Sequence, residues 1–268
     1  MVLHFPDLQL QEFCVLDPHW VTIGVYKIIN SPSIKNGLLP QEKLDYILNQ
    51  EDQKKAEYAP SEEKQIRYSA AEQLYLISIM QEFELLYEYQ RGTYLVPDLL
   101  PKELTDSIAF DETDAITFFM DYDFLPPNVM TRFIIHMQKD IASLKDLWRN
   151  GVLLANQRYN CRALVIAETD QQRIRILVNG DPNRKRDYFC IVHHALSEIN
   201  DDFRNLLVTE KMPVPGYPDI PPVEYEELLG LEKMGKDEYV VGKIGKTFSV
   251  AKDFLNKVST RDNRRLEG

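Results

Sequence analysis

Apolar positions along this chain recur with two periods, and their character changes near residue 116. In the first part the period is mostly helical. Trp20, Ile23, Tyr26 (or Lys27) and Ile28 form one apolar side behind Asp17-Pro18, where aspartate suits an N-cap and proline suits the first helical position. Asn36-Gly37 predicts a turn and Leu38-Leu39 a short strand. Pro40 opens a second helix carrying Leu44, Ile47 and Leu48. Residues 51–63 are charged and contain Pro60, which predicts a loop. Ser69-Ala-Ala-Glu72 has capping-box spacing ahead of a third helix with Leu74, Ile77, Ile79, Met80 and Phe83. Residues 85–89 and 93–96 flank Gln90-Arg91-Gly92 as a hairpin that Pro97 ends. Residues 97–115 hold two prolines and a surplus of acid, which predicts a linker.

From Ile116 the strand period takes over. A run of β-branched and aromatic residues reaches Tyr122 and stops before Pro126-Pro127, since proline cannot donate to a ladder. Val129, Phe133, Met137, Ile141 and Leu144 then predict a helix. Asn150-Gly151 predicts a hairpin turn, because both residues tolerate positive φ. Residues 161–168 and 173–179 are two more strands joined by a tight turn. A long helix follows Gly180-Asp-Pro-Asn, with Tyr188, Val192, Ala195, Leu196, Ile199 and Phe203 as its buried stripe. Residues 206–215 predict an edge strand, 225–234 a short helix, and the surroundings of Gly242–Gly245 a last hairpin before a helix from Ser249. Strands joined by tight turns make an antiparallel sheet with helices packed on it. The expected fold class is therefore α+β. A mostly helical, winged-helix-like subdomain is expected over 1–115, an antiparallel-sheet subdomain over 116–258, and a tail over 259–268.

Composition narrows the function. With 268 residues, 44% of them hydrophobic, the chain buries a real core, and a disordered protein is excluded. The element order of the first half is that of a winged helix, so a nucleic-acid binder is the alternative reading. A net charge of −11, with Glu72, Glu82 and Glu84 on or beside the third helix, opposes it, because such a surface repels phosphate. Cys14, Cys161 and Cys190 are odd in number and widely spaced, which points to a reducing, cytoplasmic setting. No apolar run approaches the ~20 residues that span a bilayer, and the N-terminus lacks the basic and apolar regions of a signal peptide.

Candidate chemistry is sparse. Gly245-Lys246-Thr247 resembles the end of a phosphate-binding loop, but residue 240 is valine where that motif needs glycine. Cys190, His193 and His194 have metal-like spacing, yet no second ligand pair stands near them, so the expectation is a core cysteine and two surface histidines. Arg184-Lys185-Arg186 is the one basic cluster, at a helix start where cations oppose the macrodipole. Paired catalytic carboxylates, a Ser/His/Asp set and a dinucleotide fingerprint are all missing. The residues describe an interaction module with no catalytic, cofactor or metal site of its own.

Several segments carry a resemblance. They are Leu16-Asp-Pro-His-Trp-Val-Thr-Ile-Gly-Val-Tyr-Lys-Ile-Ile29, Met80-Gln-Glu-Phe-Glu-Leu-Leu-Tyr87, Tyr94-Leu-Val-Pro97, Phe124-Leu-Pro-Pro-Asn-Val-Met-Thr-Arg-Phe133 and Leu147-Trp-Arg-Asn-Gly-Val152. With Val214-Pro-Gly-Tyr-Pro-Asp219 and Val223-Glu-Tyr-Glu-Glu-Leu228, they resemble, in order, the COR domain of prokaryotic Roco proteins, relatives of the leucine-rich-repeat kinases. The resemblance implies a Ras-like GTPase domain, Roc, ahead of this segment, often with leucine-rich repeats further upstream. It implies homodimerisation mainly through the C-terminal half and packing of the N-terminal half on Roc. GTP or GDP and Mg²⁺ would belong to Roc, because this chain has no P-loop. On this resemblance Tyr122, Phe124 and Arg132 become the expected Roc-facing residues.

Overall fold

A computed structural model describes residues 18–51, 66–103 and 108–259. The chain divides between Pro101 and Lys102 into two units.

The first unit runs α1 (Pro18–Ile29), β1 (Leu38–Pro40), α2 (Leu44–Asn49), α3 (Ala70–Glu82), β2 (Tyr87–Gln90) and β3 (Thr93–Leu95). Asn36 and Gly37 both take positive φ, 50° and 72°, and reverse the chain into β1. Pro40 closes that strand, a 3₁₀ turn over Gln41–Lys43 follows, and α2 therefore begins at Leu44, later than its proline suggests. The capping box forms in full: the Ser69 side chain accepts from the Glu72 amide, and the Glu72 carboxylate accepts from the Ser69 amide. The buried face of α3 differs from the expected stripe. Tyr75 and Leu76 are buried beside Ile77, Ile79 and Met80, whereas Leu74 and Phe83 are exposed. An almost continuous apolar run lets the helix rotate to whichever face its neighbours demand, so periodicity alone misassigns it. The three strands pair antiparallel in the order β1-β3-β2, and Ile28, Leu39, Leu48, Leu76 and Met80 meet in the core beneath them. Asp17 and most of the predicted loop over 51–63 lie outside the described residues.

The second unit is built on a seven-stranded antiparallel sheet, supported by α4 (Val129–His136), α5 (Lys185–Asp201) and α6 (Tyr225–Lys233). Its strands are β4 (Ile116–Tyr122), β5 (Leu147–Trp148), β6 (Gly151–Asn156), β7 (Cys161–Glu168), β8 (Arg173–Gly180), β9 (Val208–Met212) and β10 (Val223–Glu224), in the order β10-β9-β4-β8-β7-β6-β5. A separate hairpin, β11 (Glu238–Val241) with β12 (Lys246–Ser249), precedes a π-helical stretch over Val250–Leu255. Gly245 sits in that hairpin's connection at φ 62°, a hairpin tip with no strand-to-helix phosphate loop. The fold is α+β.

Central β4 alternates strictly. Ile116, Phe118, Met120 and Tyr122 are buried, and Phe118 meets Phe189 of α5 edge to face at 5.3 Å. Tyr188, Val192, Leu196 and Ile199 of α5 are fully buried. On the opposite sheet face, Asp121 takes a short ion pair from Arg173 and a 2.9 Å contact from Lys211, so three neighbouring strands share one carboxylate.

Four expectations are corrected here. The helix after the double proline ends at His136. Met137 caps it, a 3₁₀ turn follows, and Ile141 bridges Leu154 as extended chain. Strand β9 is not an edge, because the two-residue β10 pairs with it. The 149–150 turn carries no positive φ; Gly151 pairs with Trp148 inside the ladder. Residues 108–114, read as linker, lie against the sheet: Ile108 and Phe110 pack on Trp148, Leu153, Leu164 and Leu177.

Candidate interaction surface

The stretch between β4 and α4 leaves the sheet at one end, where three connections converge. The Tyr122 amide donates to the Gln172 carbonyl at 2.8 Å, and the Leu125 amide donates to the Gln172 side chain at 2.6 Å. Gln172 holds φ 50° and ends the β7–β8 turn. The Asp123 amide donates to the Leu207 carbonyl at 3.2 Å, and the Leu207 amide returns a bond to the Asp123 carboxylate. These bonds fix the β4–α4, β7–β8 and α5–β9 connections to one another.

That framework separates the three residues proposed for partner contact. Tyr122 faces inward and is 6% exposed; its hydroxyl reaches Asn200 Oδ1 at 3.2 Å, and burial pushes its phenol above the ordinary value. It is a core residue of this unit, so its side chain is not available to a docked partner. Phe124, two positions on and past the strand end, is 60% exposed. Arg132 lies on α4, with its guanidinium 2.5 Å from Asp202 and over the Phe203 ring at 6.0 Å. The sequence missed Leu207, 68% exposed beside Phe124. It sits in a stretch read as edge strand, and no local pattern distinguishes an outward leucine from an inward one there. Phe124 and Leu207 are thus two exposed apolar side chains on connections that the Asp123–Leu207 bonds tie together.

A concavity of 590 Å³ lies against α5 and is lined by Cys190, Ile191, His193, Glu210 and Tyr225 among others. Cys190 is exposed, contrary to the core placement expected for it. His193 is only partly exposed: its ring lies edge-on to Phe118 at 5.3 Å, and Nε2 stands 2.6 Å from Glu210. His194 points outward and pairs at 3.5 Å with Glu198. Among the described residues no three His, Cys, Asp or Glu side chains are grouped to hold a metal ion. No helix among them is long and apolar enough to cross a membrane. The basic cluster is partly absorbed by the fold: Arg184 donates to the Arg158 carbonyl and Lys185 to the Asp114 carbonyl.

The described residues thus give a two-unit α+β chain with an exposed apolar pair at one end of the sheet and a concavity against α5. Family models identify both halves. Residues 1–100 match the COR-A domain and residues 113–252 the COR-B domain, each described as C-terminal of Roc. The chain belongs to the COR family of Roco proteins. It is also 24% identical, over 220 residues, to a protein of Dictyostelium discoideum named probable serine/threonine-protein kinase pats1. The match takes in 76% of this chain but 6% of that protein's length.

Proposed function

We propose that this chain is the dimerisation and regulatory module of a Roco GTPase. In this reading it brings two adjacent Roc domains together and couples their nucleotide state to the rest of the protein. The observation that carries it is the succession of COR-A and COR-B over nearly the whole chain. Nucleotide and Mg²⁺ then belong to Roc, and the chain works in the cytoplasm without chemistry of its own. Two-fold pairing raises the effective concentration of one Roc domain at the other. Phe124 and Leu207 form the Roc-facing surface, with Arg132 at its margin.

The test sets Phe124→Ser against Tyr122→Phe in the full chain, with binding to the parent's Roc domain measured by calorimetry. An exposed aromatic at the centre of an interface is a usual hot spot, so Phe124→Ser weakens binding tenfold or more while thermal stability stays put. Tyr122→Phe removes a buried hydrogen bond and lowers stability by about 1 kcal/mol, leaving Roc affinity unchanged. Unaltered affinity in Phe124→Ser sinks the assignment of this surface.

A further inference from the structure

Residues 108–114 do more than connect. Ile108 and Phe110 insert into an apolar trough on the outer sheet face, made by Trp148, Leu153, Leu164 and Leu177 with Ile166 beside them. Polar side chains from the sheet and from α5 then hold the segment by its carbonyls. Arg162 Nη1 donates to the Ala109 carbonyl at 2.8 Å. Asn179 Nδ2 donates to those of Asp111 and Thr113 at 2.7 and 3.0 Å. Lys185 Nζ reaches that of Asp114.

The segment's own amide bonds are local: Phe110 to the Ile108 carbonyl, Thr113 to the Asp111 side chain, Ala115 to the Glu112 carbonyl. It shares no ladder with the sheet. Everything that attaches it is therefore side chain, and its departure breaks no strand pairing. The plugs at Ile108 and Phe110 flank the clamped Ala109 carbonyl, and a turn at Thr113–Asp114, with Asp114 at φ 56°, presents the last two clamped carbonyls. Segments with few backbone ties open at free energies well below global unfolding.

We propose that the trough is a receptor groove for a short segment of chain outside the ladder and that residues 108–114 are its resident ligand, a releasable strap. The trough recognises a partner of the same chemistry: two apolar residues two apart, with carbonyls between and after them turned toward the clamps. A competing segment of that kind would hold the strap open.

Trp148 reports on this directly. The chain's other tryptophan is Trp20 in α1, so a Trp20→Phe background isolates the Trp148 signal. In it, Arg162→Ala with Asn179→Ala removes the clamps, and Phe110→Ser independently removes a plug. Each is expected to raise acrylamide quenching of Trp148 severalfold and to speed Glu-C cleavage after Glu112, with far-UV circular dichroism unchanged. Adding a synthetic peptide of residues 108–114 at millimolar concentration to the Phe110→Ser chain, whose clamps are intact, is expected to restore Trp148 protection. The proposal is overturned if Trp148 stays shielded in both variants. It is equally overturned if shielding is lost only together with the sheet's cooperative unfolding, or if the peptide restores nothing.

Discussion

Gly151 leaves no room for a methyl group. A Cβ there would stand 2.2 Å from Trp148 Cζ2 and 2.7 Å from the Val165 carbonyl. The dipeptide Asn150-Gly151 does mark a hairpin, but for a reason other than turn conformation: glycine is required so that the Trp148 ring can lie flat across its strand partner. Gly151→Ala must displace that indole or bend β7, and overpacking of this kind costs about 1–3 kcal/mol. A urea titration is expected to show that loss together with a changed near-ultraviolet signal from Trp148; equal stability would mean the indole has somewhere else to go. Tyr122 and Phe124 make the same point about reading single residues. Both are aromatic, two apart, just before the prolines. The strand places the first inward, and the frame of Gln172 and Leu207 turns the second out. Their fates depend on where the ladder ends, which only long-range pairing decides.

At the scale of elements, strands were more legible than helix ends. Alternation over 116–122 and 173–176 reports burial on one sheet face; beyond it Leu177 is buried on the other face, beneath Ile108 and Phe110. The helix after Pro127 was extended too far, because Met137 and Ile141 stay at least partly buried after the chain has left helical geometry. Apolar spacing records burial, and extended chain can satisfy it as well as helix. The outer-face charge cluster was legible only as alternation in 173–176. Its acidic member, Asp121, comes from a strand more than fifty positions earlier in the chain. Burial pushes the Asp121 carboxyl up, but hydrogen bonds and charge from Arg173 and Lys211 outweigh it and hold the group below the ordinary carboxylate value. A carboxyl depressed by folding contributes stability that is present above its unfolded value, near ~3.9, and is lost as pH falls through the folded one. The parent chain should therefore lose stability more steeply than Asp121→Asn as pH drops from 5 toward 3, although the variant starts lower at pH 7. Urea midpoints across that range check it, and parallel curves would remove Asp121 from the account of acid sensitivity.

For the whole molecule, the decisive quantity is how many copies act together. The candidate site was legible from residue types only as the neighbourhood of the double proline; assigning it a partner came from resemblance, since no catalytic constellation marks an interaction surface in a sequence. Among the described residues of the second unit, five large apolar side chains stand exposed: Phe124, Ile191, Leu207, Met234 and Val240. Two of them, Phe124 and Leu207, share one end of the sheet; Ile191 lines the concavity against α5, while Met234 and Val240 lie close in sequence around the last helix and hairpin. If self-association and Roc docking use different patches, they must separate by mutation. Sedimentation equilibrium of the intact chain is expected to show a concentration-dependent dimer. Phe124→Ser is expected to leave that dimer unchanged while it weakens Roc docking tenfold or more. A chain that stays monomeric at high micromolar concentration would remove the dimerising role from this segment. A dimer that dissolves with Phe124→Ser would move the two-fold contact to the end of the sheet, and Roc would then have to dock elsewhere.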